Sequence, residues 1–390
     1  MLKISACTIA KNEEKNIARW VENVRTFADE IIVVDTGSED KTREIAMDAG
    51  ATLYKFDWCE DFAAAKNFAL DRCHGDWVAF LDADEYFEKK SQQKLRVLIS
   101  RYDKDEKIAG FMIPFCNIDE NNDNVLLSKG WLLRLFRRDN DLRFAGRVHE
   151  SLQDKKIVEP KREFPLLQEL QLYHTGYSGD IIENKLQRNL NLLLVDIREQ
   201  GGEKPWHYGY LQDCYAGLGD YAKAIHYGRL ALKYRQESGI IGQTNSVICR
   251  LLNSIRISGL GDYAHELSNA IQEFPDYPEV HFFYGQYLLS IMEGGRAEQA
   301  LLRALELYKK PRNDRGDIYN LTFADMELYA LAYLQQIEQY RPYYEAMREG
   351  KWEQAAGIAA KWLSAAYVSY PSPLPDGYLF RKAAKEGRRC

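Results

Sequence analysis

The sequence predicts two unlike halves: an α/β domain on a parallel sheet, then an all-α helical-repeat domain. Three observations predict this. Up to about residue 175, short β-rich runs alternate with helical ones, the order that right-handed crossovers between parallel strands produce. From about Ile181 onward strand signals vanish. The turn phrase "LGDYA" then occurs twice, at Leu218–Ala222 and Leu260–Ala264. A chain of 390 residues suits two or three domains. The expected division is 1–178 for the sheet domain, 179–204 for a linking helix and 205–390 for the helical domain.

Each element has its own signal. "ISACTIA" (Ile4–Ala10) is an apolar run that ends at the polar "KNEE". Ile17, Trp20, Val21 and Val24 then recur at helical spacing on one face. "EIIVVDTGS" carries a second strand, Ile31–Val34, apolar throughout as a strand covered on both faces should be. Ser38 or Asp40 can cap the next helix, which Gly50 closes. "TLYKFDW" and "WVAFLDADEYF" add strands around a helix near Phe62–Arg72, and "AGFMIPF", "GWLLRLFRR" and "LLQELQLYH" follow. In the second half Tyr208, Leu211, Tyr215, Ala224 and Ala231 stand at tetratricopeptide-repeat offsets, where small residues let paired helices approach closely. A generic helical bundle is the plainer alternative.

Composition excludes several classes. A net charge of −6 argues against a nucleic-acid partner. The opening "MLKISACTIAKNEE" turns charged too early for a signal peptide, and no apolar run nears the roughly 20 residues of a membrane span. Seven scattered cysteines read as reduced thiols, so a soluble, cytoplasmic protein is expected.

In open α/β sheets ligands bind at the carboxyl ends of the strands. The residues there are Lys11–Asn12–Glu13, Asp35–Thr36–Gly37–Ser38 and Asp82–Ala83–Asp84. Neither G-x-G-x-x-G after the first strand nor G-x-x-x-x-G-K-[ST] is present. A diphosphate would therefore need a different neutralising group. Asp82 and Asp84, one residue apart, suit Mg²⁺ or Mn²⁺. The expected source of positive charge for the acidic "DADE" is that metal. A solvated turn is the plain alternative for such a triplet.

Together "CTIAKNEEKNI", "EIIVVDTGSEDKT", "FAAAKNFAL" and "DWVAFLDADEYF" resemble an inverting family 2 glycosyltransferase with the GT-A fold, over roughly residues 3–180. "LLRLFRR", "FAGRVHESL" and "LYHTGY" resemble the branch with lipopolysaccharide-core glucosyltransferases and the bacterial peptide glycosyltransferases that modify bacteriocins on cysteine or serine. The latter carry tetratricopeptide-like helices after this domain. The resemblance implies a nucleoside-diphosphate sugar donor, a UDP-hexose first, and Mn²⁺ or Mg²⁺ as cofactor. Asp35 would bind the base or ribose, flanked by Ile9, Ala10, Lys11 and Glu13. Lys66 and Asn67 would lie near the nucleotide or its diphosphate, although a surface lysine is the alternative for Lys66. Asp82, with Ala83, would face the sugar and ribose, Asp84 would be the principal metal ligand, and Glu85 would stand behind them.

An inverting transfer needs a base for the acceptor. The acidic pair that many relatives place after the third sheet segment has no counterpart here, and "GRVHE" offers Glu150, or else His149. His149 and His174 are candidate metal or diphosphate ligands, His174 the better placed. Arg134 and Arg137 are candidates for the diphosphate. A concave helical surface suits a peptide or protein acceptor, and a homo-oligomer would form through the same domain. An envelope-polysaccharide acceptor, or a non-catalytic repeat-based interaction protein, remain the other readings.

Overall fold

Strand β1 (Ile4–Ala10) lies in the middle of the first half because every residue but Ile9 is buried. The computed structural model describes residues 2–121, 123–155, 162–175, 182–238, 244–309 and 324–365. It divides into two units, Met1–Glu203 and Lys204–Cys390. The domain boundary expected at 178 lies outside the described residues.

In the first unit, β1 is followed by α1 (Ile17–Arg25), β2 (Glu30–Asp35), α2 (Thr42–Asp48), β3 (Thr52–Lys55), α3 (Phe62–Leu70) and β4 (Trp77–Phe80). β1 pairs in parallel with β2 and β4, and β2 with β3. Ile17, Trp20, Val21 and Val24 form the buried face of α1, as their spacing predicts. Gly75 is required before β4, since a Cβ there would lie 2.7 Å from the Ser5 amide nitrogen. Helix α2 differs from expectation. Neither Ser38 nor Asp40 is its N-cap; Ser38 Oγ accepts from the Asn12 amide instead.

Next come β5 (Glu85–Phe87), α4 (Lys89–Tyr102), β6 (Gly110–Asp119), β7 (Val125–Arg137), β8 (Leu142–Ala145), β9 (Ser151–Asp154), β10 (Leu172–His174) and α5 (Ile182–Glu199). The sheet runs β3-β2-β1-β4-β7-β6-β10-β5, with β8-β9 a separate ribbon. It is mixed, which corrects the all-parallel expectation. β7 runs antiparallel to β4 and β6, and β5 antiparallel to β10. The connection from β6 to β7 is too short for a crossover, so the two must form a hairpin. The "WVAFLDADEYF" stretch is likewise not one strand. It breaks at a turn closed by the Glu85 amide on the Asp82 carbonyl, 3.0 Å. That turn carries the chain from β4, inside the sheet, to β5 at its edge.

The second unit is helical among its described residues: α6 (Pro205–Gly217), α7 (Tyr221–Lys233), α8 (Arg235–Ser238), α9 (Thr244–Ser258), α10 (Tyr263–Glu273), α11 (Pro278–Ser290), α12 (Gly294–Tyr308), α13 (Ala324–Arg348) and α14 (Trp352–Ala365). Successive helices pack as hairpins, α6 on α7 and α11 on α12. Leu211, Ala224 and Ala231 are fully buried, while Tyr215 stacks on Tyr227 at 5.6 Å. Each "LGDYA" is an interhelical joint. Gly219 and Gly261 take φ of +81° and +94°, and Asp220 and Asp262 then cap α7 and α10.

Candidate active site

The floor of the site is laid by the loops after β1 and β2. Asn12 adopts φ +59°, its amide donates to Ser38 Oγ at 3.0 Å, and its side-chain oxygen accepts from the Glu39 amide at 2.8 Å. The Glu13 amide donates to Thr42 Oγ1 at 2.7 Å, and the Ala10 carbonyl accepts from the Thr36 amide at 2.9 Å. These bonds stitch two strand ends into one rigid shelf. Asp35 is fully buried and accepts from the Ser38 amide at 3.1 Å, so its carboxylate shapes its own turn instead of lying open for a base or ribose. Ile9 is half-buried, Lys11 is exposed at the rim, and the Glu13 carboxylate accepts from Asn16 at 2.8 Å.

The acidic turn is balanced by protein cations. Lys66 Nζ lies 2.9 Å from Asp82 Oδ1 and 2.7 Å from Glu150 Oε1. Arg134 places Nη2 2.9 Å from Asp82 Oδ2, and grips Glu85 through Nε and Nη2, each at 2.7 Å. The Asp82 amide donates to Glu85 Oε2 at 3.0 Å. Two cations thus face three carboxylates. The expectation that a metal alone supplies the positive charge is corrected: Lys66 and Arg134 supply most of it. Burial would deprotonate Lys66, but Asp82 and Glu150 outweigh it and push its pKa up. Burial would likewise raise Asp82, and Lys66 followed by Arg134 hold it well below the ordinary carboxylate range.

Asp84 and His174 make a second, separate pair. Asp84 Oδ2 lies 3.2 Å from His174 Nε2, and His174 Nδ1 lies 2.6 Å from Asn117 Oδ1. Strand pairing brings them together, because β10 sets His174 beside both Glu85 and Asn117. A carboxamide oxygen only accepts, so Nδ1 carries a proton toward it and Nε2 is aimed at Asp84. This donor set, a carboxylate plus an imidazole oriented from behind, fits a divalent cation. Asp82, expected as a second ligand, does not join it, because each of its oxygens is held by a cation. Among the described residues no group of three His, Cys, Asp or Glu side chains converges on one point.

The comparisons with known proteins decide the family. Residues 5–158 match the model of glycosyl transferase family 2. An uncharacterized glycosyltransferase of Rickettsia prowazekii is 37% identical over 208 residues, which cover 52% of this chain and 70% of that protein. The chain belongs to glycosyltransferase family 2. The SPbeta prophage-derived glycosyltransferase SunS of Bacillus subtilis is 26% identical over 298 residues, 74% of this chain and 68% of SunS. A TPR repeat-containing protein of Synechococcus elongatus is 34% identical over 208 residues, 51% of this chain, and the chain spans only half of that relative, 50%. A solved glucosyl-3-phosphoglycerate synthase from Mycobacterium tuberculosis, with Mn²⁺, UDP and glucosyl-3-phosphoglycerate, aligns at a TM-score of 0.25. It has 24% identity over 30% of this chain and 44% of that one, a likeness too slight to carry an argument. The mixed sheet unit is GT-A-like and the helical region follows it, as the resemblance implied.

Within this family 2 domain several side chains stand elsewhere than expected. Arg137 does not face the site: it donates to the carbonyls of Ile108 and Asp103, at 2.8 and 2.6 Å, and lies over Trp77. The β6–β7 register slips by one residue at Arg134, between Leu133 and Leu135, so simple alternation does not carry from one arginine to the other. Arg137 stands beside Trp77, its partner on β4. Asn67 is committed to β8, donating to the Phe144 carbonyl and accepting from its amide, both at 2.9 Å. Arg134 is a clamp on acidic residues and not an open diphosphate ligand. Ala83 is buried between the two aspartates. Glu150, with His149 at φ +55°, ends the turn between β8 and β9 and directly precedes β9. Sequence reading missed Asn117, which had no signal before strand pairing set it beside His174.

Proposed function

We propose that the chain moves a hexosyl group from a nucleoside-diphosphate sugar, UDP the first candidate, to a cysteine or serine side chain of a peptide. The single observation that carries this reading is the arrangement at the turn after β4. A cation-balanced Asp82 and an Asp84–His174 pair stand side by side at the carboxyl edge of a family 2 sheet. Asp84 and His174 would hold Mn²⁺ or Mg²⁺, which when bound carries negative charge on the departing diphosphate. The transfer is an inverting displacement. The acceptor atom bonds to the anomeric carbon, the bond to the diphosphate breaks, and the acceptor proton passes to Glu150, which Lys66 holds in place at 2.7 Å. Stacked helical hairpins support a polypeptide acceptor docked on the second unit.

The test is Glu150→Gln, assayed by intact mass with a panel of nucleotide sugars and candidate peptides, with and without Mn²⁺. Transfer is expected to fall by roughly 10²–10⁴ with donor binding nearly unchanged. For a thiol acceptor the deficit should shrink as pH rises toward about 9, because bulk ionisation then supplies the thiolate. For a hydroxyl acceptor it should persist. Full activity of the variant at pH 7 would move the base elsewhere, with His149 the next residue to change.

A further inference from the structure

Lys66 and Arg134, the buried cations of the site, are both committed to carboxylates, so neither is available to a diphosphate without breaking the cluster. Helix α5 supplies another source of charge. Near its C-terminal end, Glu199 accepts from Arg147 Nε at 3.0 Å, and Arg147 precedes Glu150 by three residues. The Arg147 carbonyl in turn accepts from the Phe62 amide at 2.8 Å, which ties that turn to the start of α3, the helix of Lys66. Eleven residues before Glu199, the Arg188 guanidinium lies 5.0 Å from the Phe62 ring centroid. Two points therefore fix α5 beside the Glu150 turn. Arg188 is exposed, lies within electrostatic range of Glu150, and has no ion-pair partner among the described residues. Its fork reaches the Asn189 amide oxygen at 3.1 Å. Lys185, one turn earlier on the same face, acts electrostatically on Glu13, Asp84 and His174.

We infer that Lys185 and Arg188 of α5 bind the diphosphate of the donor, Lys185 from the Asp84 side and Arg188 from the Glu150 side. This rests on the nucleoside-diphosphate reading of the site. A guanidinium outside the acidic cluster can form a charge-assisted fork to phosphate oxygens, and a lysine one turn away adds a second point charge. The chain's own contribution to holding the leaving group then lies on α5, after the last strand.

The test is calorimetry of UDP, GDP and TDP and of their monophosphates against the full chain, in EDTA and again in Mn²⁺. Wild type should prefer the diphosphate of one base over its monophosphate. Lys185→Met and Arg188→Gln should each lower diphosphate affinity roughly 10-fold and leave monophosphate affinity nearly unchanged. Arg188→Lys should recover part of the loss. Lys107→Met, which removes an exposed charge three residues before the start of β6, should change nothing. A wild type that binds no nucleotide overturns the donor reading and this inference with it. A wild type that binds, with the diphosphate preference intact in both variants, overturns this inference alone. Both side chains lie on a helix surface, and circular dichroism of each variant checks that the fold is kept.

Discussion

The two units handle charge in opposite ways. In the sheet unit Lys66, Arg134, Asp82, Glu85 and Glu150 form one partly or fully buried network. In the helical unit ion pairs such as Arg303–Glu306 ride on the surface, Arg250–Asp213 is more enclosed, and Glu279 is the one buried carboxylate among that unit's described residues. Its core is mainly aliphatic and aromatic, with buried neutral polar groups such as Gln212, Asn245 and Asn253 among them and a close approach at Gly285. A buried network of charge gains little over an apolar core, because desolvation offsets the attraction. Keeping one at a strand end makes sense where fixed charges must meet a charged ligand. The helical unit has no such demand and is held by packing.

Breaking the network should have the largest effect on stability. Lys66→Met leaves Asp82 and Glu150 facing each other without their shared cation, and about 3–5 kcal/mol should be lost, towards the lower figure because Asp82 is partly exposed. Denaturant unfolding of the variant measures this. A loss below about 1 kcal/mol would place the network in the same class as the surface pairs.

The helical unit should instead be most sensitive to volume. At Gly285 a Cβ would lie 2.7 Å from Leu301 Cγ, and Leu301 is fully buried. Gly285→Ala should cost about 1–3 kcal/mol by overpacking. Thermal unfolding followed by helical circular dichroism reads it.

Acid should separate the units next. Asp82 is held below its ordinary value of 3.8, so its contribution is present above that pH and is lost as pH falls through the depressed value. Lys66 is held above its ordinary 10.5, so its contribution is full below that pH and is lost as pH rises through the raised value. The network therefore contributes in full between about pH 4 and 10. Trp20 and Trp77 are buried in the sheet unit, whereas Trp206 and Trp352 are exposed in the helical one. A red shift of tryptophan emission below pH 4 should thus precede loss of helical circular dichroism. Simultaneous loss would contradict the contrast.

The smallest effect belongs to the surface. Arg229→Ala removes an exposed partner of Glu266 and should cost less than about 1 kcal/mol, further reduced by salt.

Apolar runs, helical spacing and turn residues are properties of adjacent positions, so the sequence by itself determined β1 to β4, the buried face of α1 and the two "LGDYA" joints. The acidic turn was legible for the same reason: three acids directly after an apolar strand are visible without a fold. What balances those acids was not. Lys66 lies sixteen residues before Asp82, Arg134 fifty-two after it, and Glu150 on a separate hairpin, and only folding brings their charges within 3 Å. The same holds for His174, which reaches Asp84 through the pairing of β10 with β5 and β6. It also holds for Arg137, whose side of the strand is set by register and not by residue type. Local chemistry is written along the chain, but the partner of a buried charge is chosen by which distant segment the core packs against it.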